Sequence, residues 1–397
     1  MASNRGLRPV ITLLGRCNTG KSSLLNFIVG QDVVMVSQQP GTTADPVLKA
    51  FELLPLGPVS LYDTAGLDES TELGRLRQQA SRKIIKRSDL ALLVTDEQGL
   101  GDLEKEALDQ LKQRDTPLLV VFNKSDIKKA AYQDKAFCDE RDIPFVEVSA
   151  RHDEPAQFRQ TLLAMLSCPK EAPPLLADLL PENPLVVCVA PIDSGAPAGR
   201  IILPQVQLLR EVLDINGQAL LLQPPELAAG LALLKREPDL VVTDSQVLAR
   251  IESLVPQHIM LTTFSLLFAR QKGDIAQLLQ GTDTIKNLKN SDKVLIAEAC
   301  SHHAQKEDIG RVKLPALLQK FSGVKLNFAV CAGNDFPEDL ERYALVLHCG
   351  GCMLNRKAML ERLDACGQHH VEVSNFGMAI AACHQALERV TRIFRQK

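Results

Sequence analysis

The sequence has no tryptophan, aromatic residues make up only 4% of it, and its formal net charge is -3. Proteins that hold single-stranded nucleic acid need aromatic faces for the bases and a basic surface for the phosphates, and this composition offers little of either. No nucleic-acid partner is expected. Long apolar runs are also missing. None reaches the ~18 residues from which a membrane-spanning helix is read, so no membrane partner is expected. The opening residues, MASNRGLRPVITLLG, show neither a signal peptide nor a transit peptide. The expected location is cytoplasmic, and the ten cysteines then read as free thiols or metal ligands rather than disulfides.

What is present is a repeated alternation of short apolar runs and helical patterns. A chain of 397 residues makes two or three domains at ~100–200 residues each. Strands are predicted at 9–14, 59–63, 90–96, 117–123 and 144–149, with an amphipathic helix at 103–113. Such alternation implies right-handed crossovers and a mostly parallel sheet. The proline-rich stretch 168–184 reads as a linker. Strands at 185–191, 219–223, 240–244 and 259–264, with a helix at 203–213, form a second, smaller α/β unit. A third has strands at 293–300, 325–331, 344–349 and 371–375, preceded by one helix at 266–288 and closed by another at 377–394. The expected division is 1–168, 175–264 and 265–397, and no internal repeat is visible in the sequence.

GRCNTGKS, residues 15–22, matches G-x-x-x-x-G-K-[ST] between a predicted strand and a helical run. Its glycines let backbone N–H groups wrap a phosphate, and the helix dipole adds favourable charge. The phosphate-binding set is Gly15, Asn18, Thr19, Gly20, Lys21, Ser22 and Ser23. Lys21 should meet the β- and γ-phosphates, and Ser22 should bind Mg2+. DTAG (63–66) ends a strand, placing Asp63 near the Mg2+ and the Gly66 N–H near the γ-phosphate. NKSD (123–126) ends another, supplying Asn123, Lys124 and Asp126. Asp126 can accept from guanine N1 and the exocyclic amine, which adenine cannot match. Ser149 and Ala150 follow the fifth strand and can offer a backbone N–H to the guanine oxygen. The nucleotide is GTP.

PGTTADP (40–46) lies between these motifs. Here the chain resembles the Era-like and tRNA-modification branch of the Ras-related P-loop GTPases. The resemblance implies that Thr43, rather than Thr42, is the switch threonine on Mg2+, and that Asn18 ligates K+, which can supply charge that an arginine finger supplies elsewhere. Otherwise Asn18 is a loop-geometry residue. Lys21, Thr43, Asp63 and Gly66 are then the candidate catalytic groups. Leu67 stands where Ras carries its water-positioning glutamine, so intrinsic hydrolysis should be slow. Cys17 reads as a small loop filler.

The remaining signal is in cysteines. Cys300 ends one predicted strand of the third unit and Cys349 ends another, and ligands gather outside the carboxyl ends of parallel strands. Gly350 and Gly351 allow a sharp turn, so that Cys349 and Cys352 can face one centre. Three thiolates with nearby histidines suit a Cys3His zinc or an iron–sulfur cluster. The spacing Cys300-x-His302 is short for a zinc finger, which favours a cluster. The fourth ligand stays open. His302 projects on the same side as Cys300 in an extended segment. Glu307 or water would make an exchangeable ligand, and His348 points away from Cys349 and reads better as a hydrogen-bonding or packing residue. Cys138, Cys168, Cys188 and Cys366 sit far from the constellation, Cys331 reads as buried or pocket-lining, Cys383 and His384 as core, and His369 and His370 as solvated.

A GTPase followed by C-x-H and H-C-x-x-C at Cys300, His302, His348, Cys349 and Cys352 resembles the HydF family of [FeFe]-hydrogenase maturation GTPases. APIDSGAPAGRIILPQVQ (190–207) and TDSQ (243–246) carry the same resemblance. It implies a GTPase domain, a homodimerisation domain and a [4Fe–4S] domain. It further implies a scaffold for the diiron precursor of the hydrogenase site, made with two radical-SAM maturases and delivered to the apo-hydrogenase. The rival readings are a GTPase with a structural zinc module acting in RNA or ribosome maturation, and a GTPase-linked electron-transfer protein.

Overall fold

Parallel sheets buried on both faces are written as unbroken apolar runs, and the chain has many. In a computed structural model they form three sheets. The structure describes residues 8–30, 47–54, 56–64, 66–68, 84–85, 88–113, 116–166, 173–192, 201–299, 308–333, 335–351 and 354–395. The chain divides into two compact units, residues 1–171 and 172–397.

In the first unit the strands are β1 (Val10–Leu14), β2 (Val47–Leu53), β3 (Gly57–Asp63), β4 (Leu90–Thr95), β5 (Leu118–Phe122) and β6 (Phe145–Glu147), ordered β2-β3-β1-β4-β5-β6. Five match the predicted runs. β2 is an addition, an edge strand antiparallel to β3. One apolar cluster, including Ile11, Leu24, Leu61 and Phe158, covers one face, and another, including Leu14, Leu93, Leu108 and Phe122, covers the other. β1 lies between β3 and β4, where the strand order reverses, so the loop after β1 opens into the crevice where α/β sheets bind ligands.

The second unit holds two four-stranded sheets. One is β10-β9-β7-β8, from β7 (Leu185–Val189), β8 (Gln218–Leu222), β9 (Leu240–Thr243) and β10 (Met260–Thr263). The other is β12-β11-β13-β14, from β11 (Lys293–Glu298), β12 (Asn327–Ala332), β13 (Leu345–His348) and β14 (Val373–Asn375). Every pairing is parallel. Both sheets follow the same path: the second strand pairs on one side of the first, the third on the other, and the fourth beyond the third. A repeat of topology therefore exists where the sequence shows none. The sheets share one apolar cluster, in which Val187, Val241 and Leu261 join Leu295, Val346 and Val373.

Two helical expectations and one linker expectation change. The helix expected over 266–288 is two α-helices, Phe264–Lys272 and Ile275–Asp283, followed by a 3-10 turn. Asp274 divides them because its carboxylate accepts from the Ala276 and Gln277 N–H groups, capping the second helix. The first begins under the Thr263 hydroxyl, and its Ser265 Oγ lies 2.5 Å from Ser245 Oγ, just beyond β9. The helix expected over 377–394 breaks into Phe376–Cys383 and Leu387–Thr391, leaving His384 exposed rather than in the core. The proline-rich stretch is not loose throughout. Leu175 and Leu176 are buried, and Glu211 accepts the N–H groups of Leu175, Leu176 and Ala177 at 2.9–3.0 Å.

Candidate functional site

The loop after β1 enters with Gly15 at φ 144°, where a methyl group would lie 2.1 Å from the Val94 carbonyl oxygen, so only glycine fits. Asn18 follows at φ 64°, a left-handed conformation that asparagine tolerates, which gives it a backbone reason to be there. Lys21 is buried and donates to the Gly15 and Arg16 carbonyls at 3.0 and 2.6 Å. Ser22 and Ser23 open the helix Lys21–Val29, and Ser22 Oγ donates to Asp63 Oδ2 at 2.6 Å. Two of the three side chains expected to hold Mg2+ thus lie together. Arg16 is drawn aside, bonded to Glu104 at 2.6 Å, Gln98 at 2.8 Å and the Gly99 carbonyl at 3.1 Å.

Asn123 joins the base-binding motifs to the phosphate loop. Its amide donates to the Thr19 carbonyl at 2.9 Å, and its oxygen accepts the Ala150 N–H at 3.3 Å. Lys124 takes a left-handed φ of 57° and pairs with Asp96 and Glu97. The Ser149 hydroxyl is buried with no hydrogen bond of strict geometry, yet close enough to Asp126 to hold its carboxyl below the ordinary range, helped by the His152 and Arg151 charges. Gly15, Thr19, Gly20, Lys21, Ser22, Asp63, Gly66, Asn123, Asp126, Ser149 and Ala150 line one end of one sheet. Thr43 and Thr42 lie outside the described residues.

Of the candidate cysteine ligands, Cys349 lies where the third sheet reverses, just beyond the end of β13 and beside the end of β11. Cys349 N–H donates to the Ala297 carbonyl at 2.9 Å, and the Ala299 N–H donates to Cys349 Sγ at 3.0 Å. Ala299 immediately precedes Cys300 in the sequence. Cys300, His302, Glu307 and Cys352 themselves lie outside the described residues, among which no group of three or more His, Cys, Asp or Glu could hold a metal ion. His348 is buried with both ring nitrogens engaged. Nδ1 lies 2.8 Å from the Cys349 carbonyl oxygen and Nε2 lies 2.8 Å from Arg362 Nη1. Nδ1 therefore donates and Nε2 accepts. Burial, reinforced by the Arg362 charge, lowers its pKa to about 3 and keeps the ring neutral. In this arrangement His348 has no nitrogen left for a metal.

Three family models match the chain in sequence. The "50S ribosome-binding GTPase" model matches residues 10–124, the "Hydrogen maturase F dimerization domain" residues 175–273, and the "Hydrogen maturase F tetramerization domain" residues 276–393. The chain belongs to the hydrogen maturase F family. Among curated proteins, this maturase F chain is 32% identical over 146 residues to GTPase Der of Kosmotoga olearia, covering 35% of this chain and 33% of that protein. It is 30% identical over 216 residues to the tRNA modification GTPase MnmE of Dechloromonas aromatica, covering 53% of this chain and 46% of that protein. It thus spans less than half the length of these two relatives. A crystal structure of Aquifex aeolicus Era bound to GDP and aluminium fluoride overlaps 63% of this chain and 97% of that one, at 18% identity and TM-score 0.35.

The maturase F chain therefore carries an N-terminal GTPase domain that hydrolyses GTP, followed by two self-association domains. No helix among the described residues is long and apolar enough to cross a membrane. Two supports of the cysteine loop carried no sequence signal. Buried Lys272 donates to the Gly351 and Leu354 carbonyls at 2.8 Å each, and Arg356 donates to the Gln271 carbonyl at 2.6 Å. Gly351 takes φ 63°, and a methyl group there would meet Met359 Cε at 2.3 Å. Cys138, Cys188 and Cys366 are buried, and burial pushes their thiols up to about 11, 12 and 12. Cys331 is half-buried against the shared core, Cys383 is half-buried, and His369 and His370 are exposed. Cys168 lies outside the described residues.

Proposed function

We propose that this maturase F chain is a GTP-hydrolysing scaffold that binds a [4Fe–4S] cluster, carries the diiron precursor of the [FeFe]-hydrogenase active site and delivers it to the apo-hydrogenase. The radical-SAM maturases are the proposed source of that cargo, the homodimer the working assembly and the cytoplasm the location. The proposed domains are 1–168 for GTP, 175–264 for dimerisation and 265–397 for the cluster. The observation that carries the reading is the Ala299 N–H bond to Cys349 Sγ at a sheet edge. It sets the backbone leading into Cys300 against a second cysteine and shows that Cys349 sulfur accepts hydrogen bonds, as cluster thiolates do. The donor set fits: Cys300, Cys349 and Cys352 would supply three soft thiolates, and a fourth position held by His302, Glu307 or water would stay exchangeable. A bound cluster would supply an iron centre next to which the cargo docks. Around it, Lys272 fixes the loop carbonyls, and burial together with Arg362 keeps His348 neutral.

Anaerobic reconstitution with iron and sulfide tests the reading. About four irons per chain and a cluster EPR signal after reduction are expected, whereas zinc with no bound iron would return the cysteines to a structural role.

On the nucleotide side, Lys21 would meet the terminal phosphates, Ser22, Asp63 and Thr43 would hold Mg2+, and the Gly66 N–H would meet the γ-phosphate. Asn18 is the proposed K+ ligand. Hydrolysis should then run roughly tenfold faster in KCl than in NaCl at equal ionic strength. Equal rates would leave Asn18 only its backbone role.

A further inference from the structure

A GTPase must place one water in line with the terminal phosphate, and Leu67 cannot do it. Leu67 packs against the apolar cluster of Leu14, Leu93 and Phe122, and its N–H is tied to the Gly15 carbonyl at 3.1 Å. The next side chain turns the other way. Asp68 Oδ1 accepts the Cys17 N–H at 2.7 Å, so a carboxylate lies over the third residue of the phosphate loop. Gly66 is at the same point. A methyl group on it would lie 2.3 Å from Cys17 Sγ, 2.9 Å from Cys17 N and 2.8 Å from Asp68 Oδ1.

We infer that Asp68 holds the attacking water during GTP hydrolysis, in place of the side chain that Leu67 lacks. The inference rests on the GTPase assignment and on Gly66 meeting the γ-phosphate. Among the described residues, two neighbouring carboxylates are otherwise committed: Glu104 is buried against Arg16, and Asp63 is bonded to Ser22 on the Mg2+ side. Arg16 is held away by Glu104, Gln98 and Gly99, so it is not the missing polar group. A carboxylate has about four acceptor positions, and the Cys17 N–H, the Cys17 thiol and the Asp68 N–H draw on three of them. Partial burial raises the Asp68 carboxyl, but the Cys17 and backbone hydrogen bonds and the Lys21 charge outweigh it and hold the group ionised.

Asp68 accepts a hydrogen bond from one water O–H and orients the oxygen. The water oxygen forms a bond to the γ-phosphorus as the bond to the β,γ-bridging oxygen breaks, and that electron pair leaves on the β-phosphate of GDP. The water proton passes to the departing phosphate. The products are GDP and inorganic phosphate, with no change of oxidation state.

Single-turnover hydrolysis and fluorescent GTP-analogue titration on the full chain decide the matter. Asp68→Ala and Asp68→Asn should each slow hydrolysis about 100-fold with the Kd for GTP changed less than about threefold, and Asp68→Glu should recover part of the rate. Rates within about threefold of the parent for Asp68→Ala or Asp68→Asn would overturn the inference. So would a rate loss matched by an equal loss of affinity, which is the mark of a residue that only shapes the loop. A parent protein that binds GTP without hydrolysing it would overturn the GTPase assignment instead.

Discussion

Cys349→Ser is expected to abolish or badly deplete the reconstituted iron–sulfur cluster while basal GTP hydrolysis stays within about threefold of the parent. The sulfur replaced is the one that accepts the Ala299 N–H. A serine oxygen can keep that hydrogen bond, so the loop retains its fold, but a hard, protonated hydroxyl is a poor ligand for iron. Backbone geometry does not depend on the side chain, because the Cys349 N–H is held by Ala297 and the Gly351 and Leu354 carbonyls by Lys272. GTP hydrolysis should survive because the phosphate loop belongs to the other compact unit, with its own sheet and core. Iron and sulfide analysis, EPR and phosphate release measure the three quantities, and hydrogenase activation should fall with the iron. A full cluster in the serine variant, or full activation of hydrogenase, would remove Cys349 from the ligand set.

Asp126→Asn should weaken GTP binding roughly 100-fold or more and raise affinity for xanthosine triphosphate. Two hydrogen bonds from the base to a carboxylate are each worth about 1.5–3 kcal/mol, and an amide oxygen cannot accept both while its NH2 faces a donor. Xanthine presents an oxygen where guanine has its amine, so the same amide then finds an acceptor. Asp126 is placed for this by the bridge from Asn123 to the Thr19 carbonyl and the Ala150 N–H, which fixes the base motifs against the phosphate loop. Titration with both nucleotides is the measurement. Unchanged GTP affinity would mean that the base is read elsewhere.

The gathering of the nucleotide motifs at one end of the sheet was legible because four of them follow strands, and strand ends in a parallel sheet share one edge. β2 was not legible, since VLKAFEL lies at an edge and carries Lys49 and Glu52 among its apolar residues. The break at Gly273–Asp274 was hidden because Phe268, Leu278 and Thr282 keep a buried face on both sides of it. His384 follows an almost wholly apolar helix and shares its pattern, yet stands at the helix end where the chain turns outward. Lys272 reads as an ordinary basic residue in a last helical turn. Its burial depends on the carbonyls of a loop some eighty residues later, and no local pattern records that.

The helix Phe264–Lys272 gives the second unit a lever. Its nine residues make a rod of about 13 Å. One end is fastened to the middle sheet through the Thr263 cap and the Ser265–Ser245 contact. The other ends in the ammonium that grips Gly351 and Leu354. A tilt of about 10° at the first end sweeps the tip by roughly 2 Å, enough to break a hydrogen bond. Through this rod a displacement of the middle sheet would reach the turn that carries Cys349.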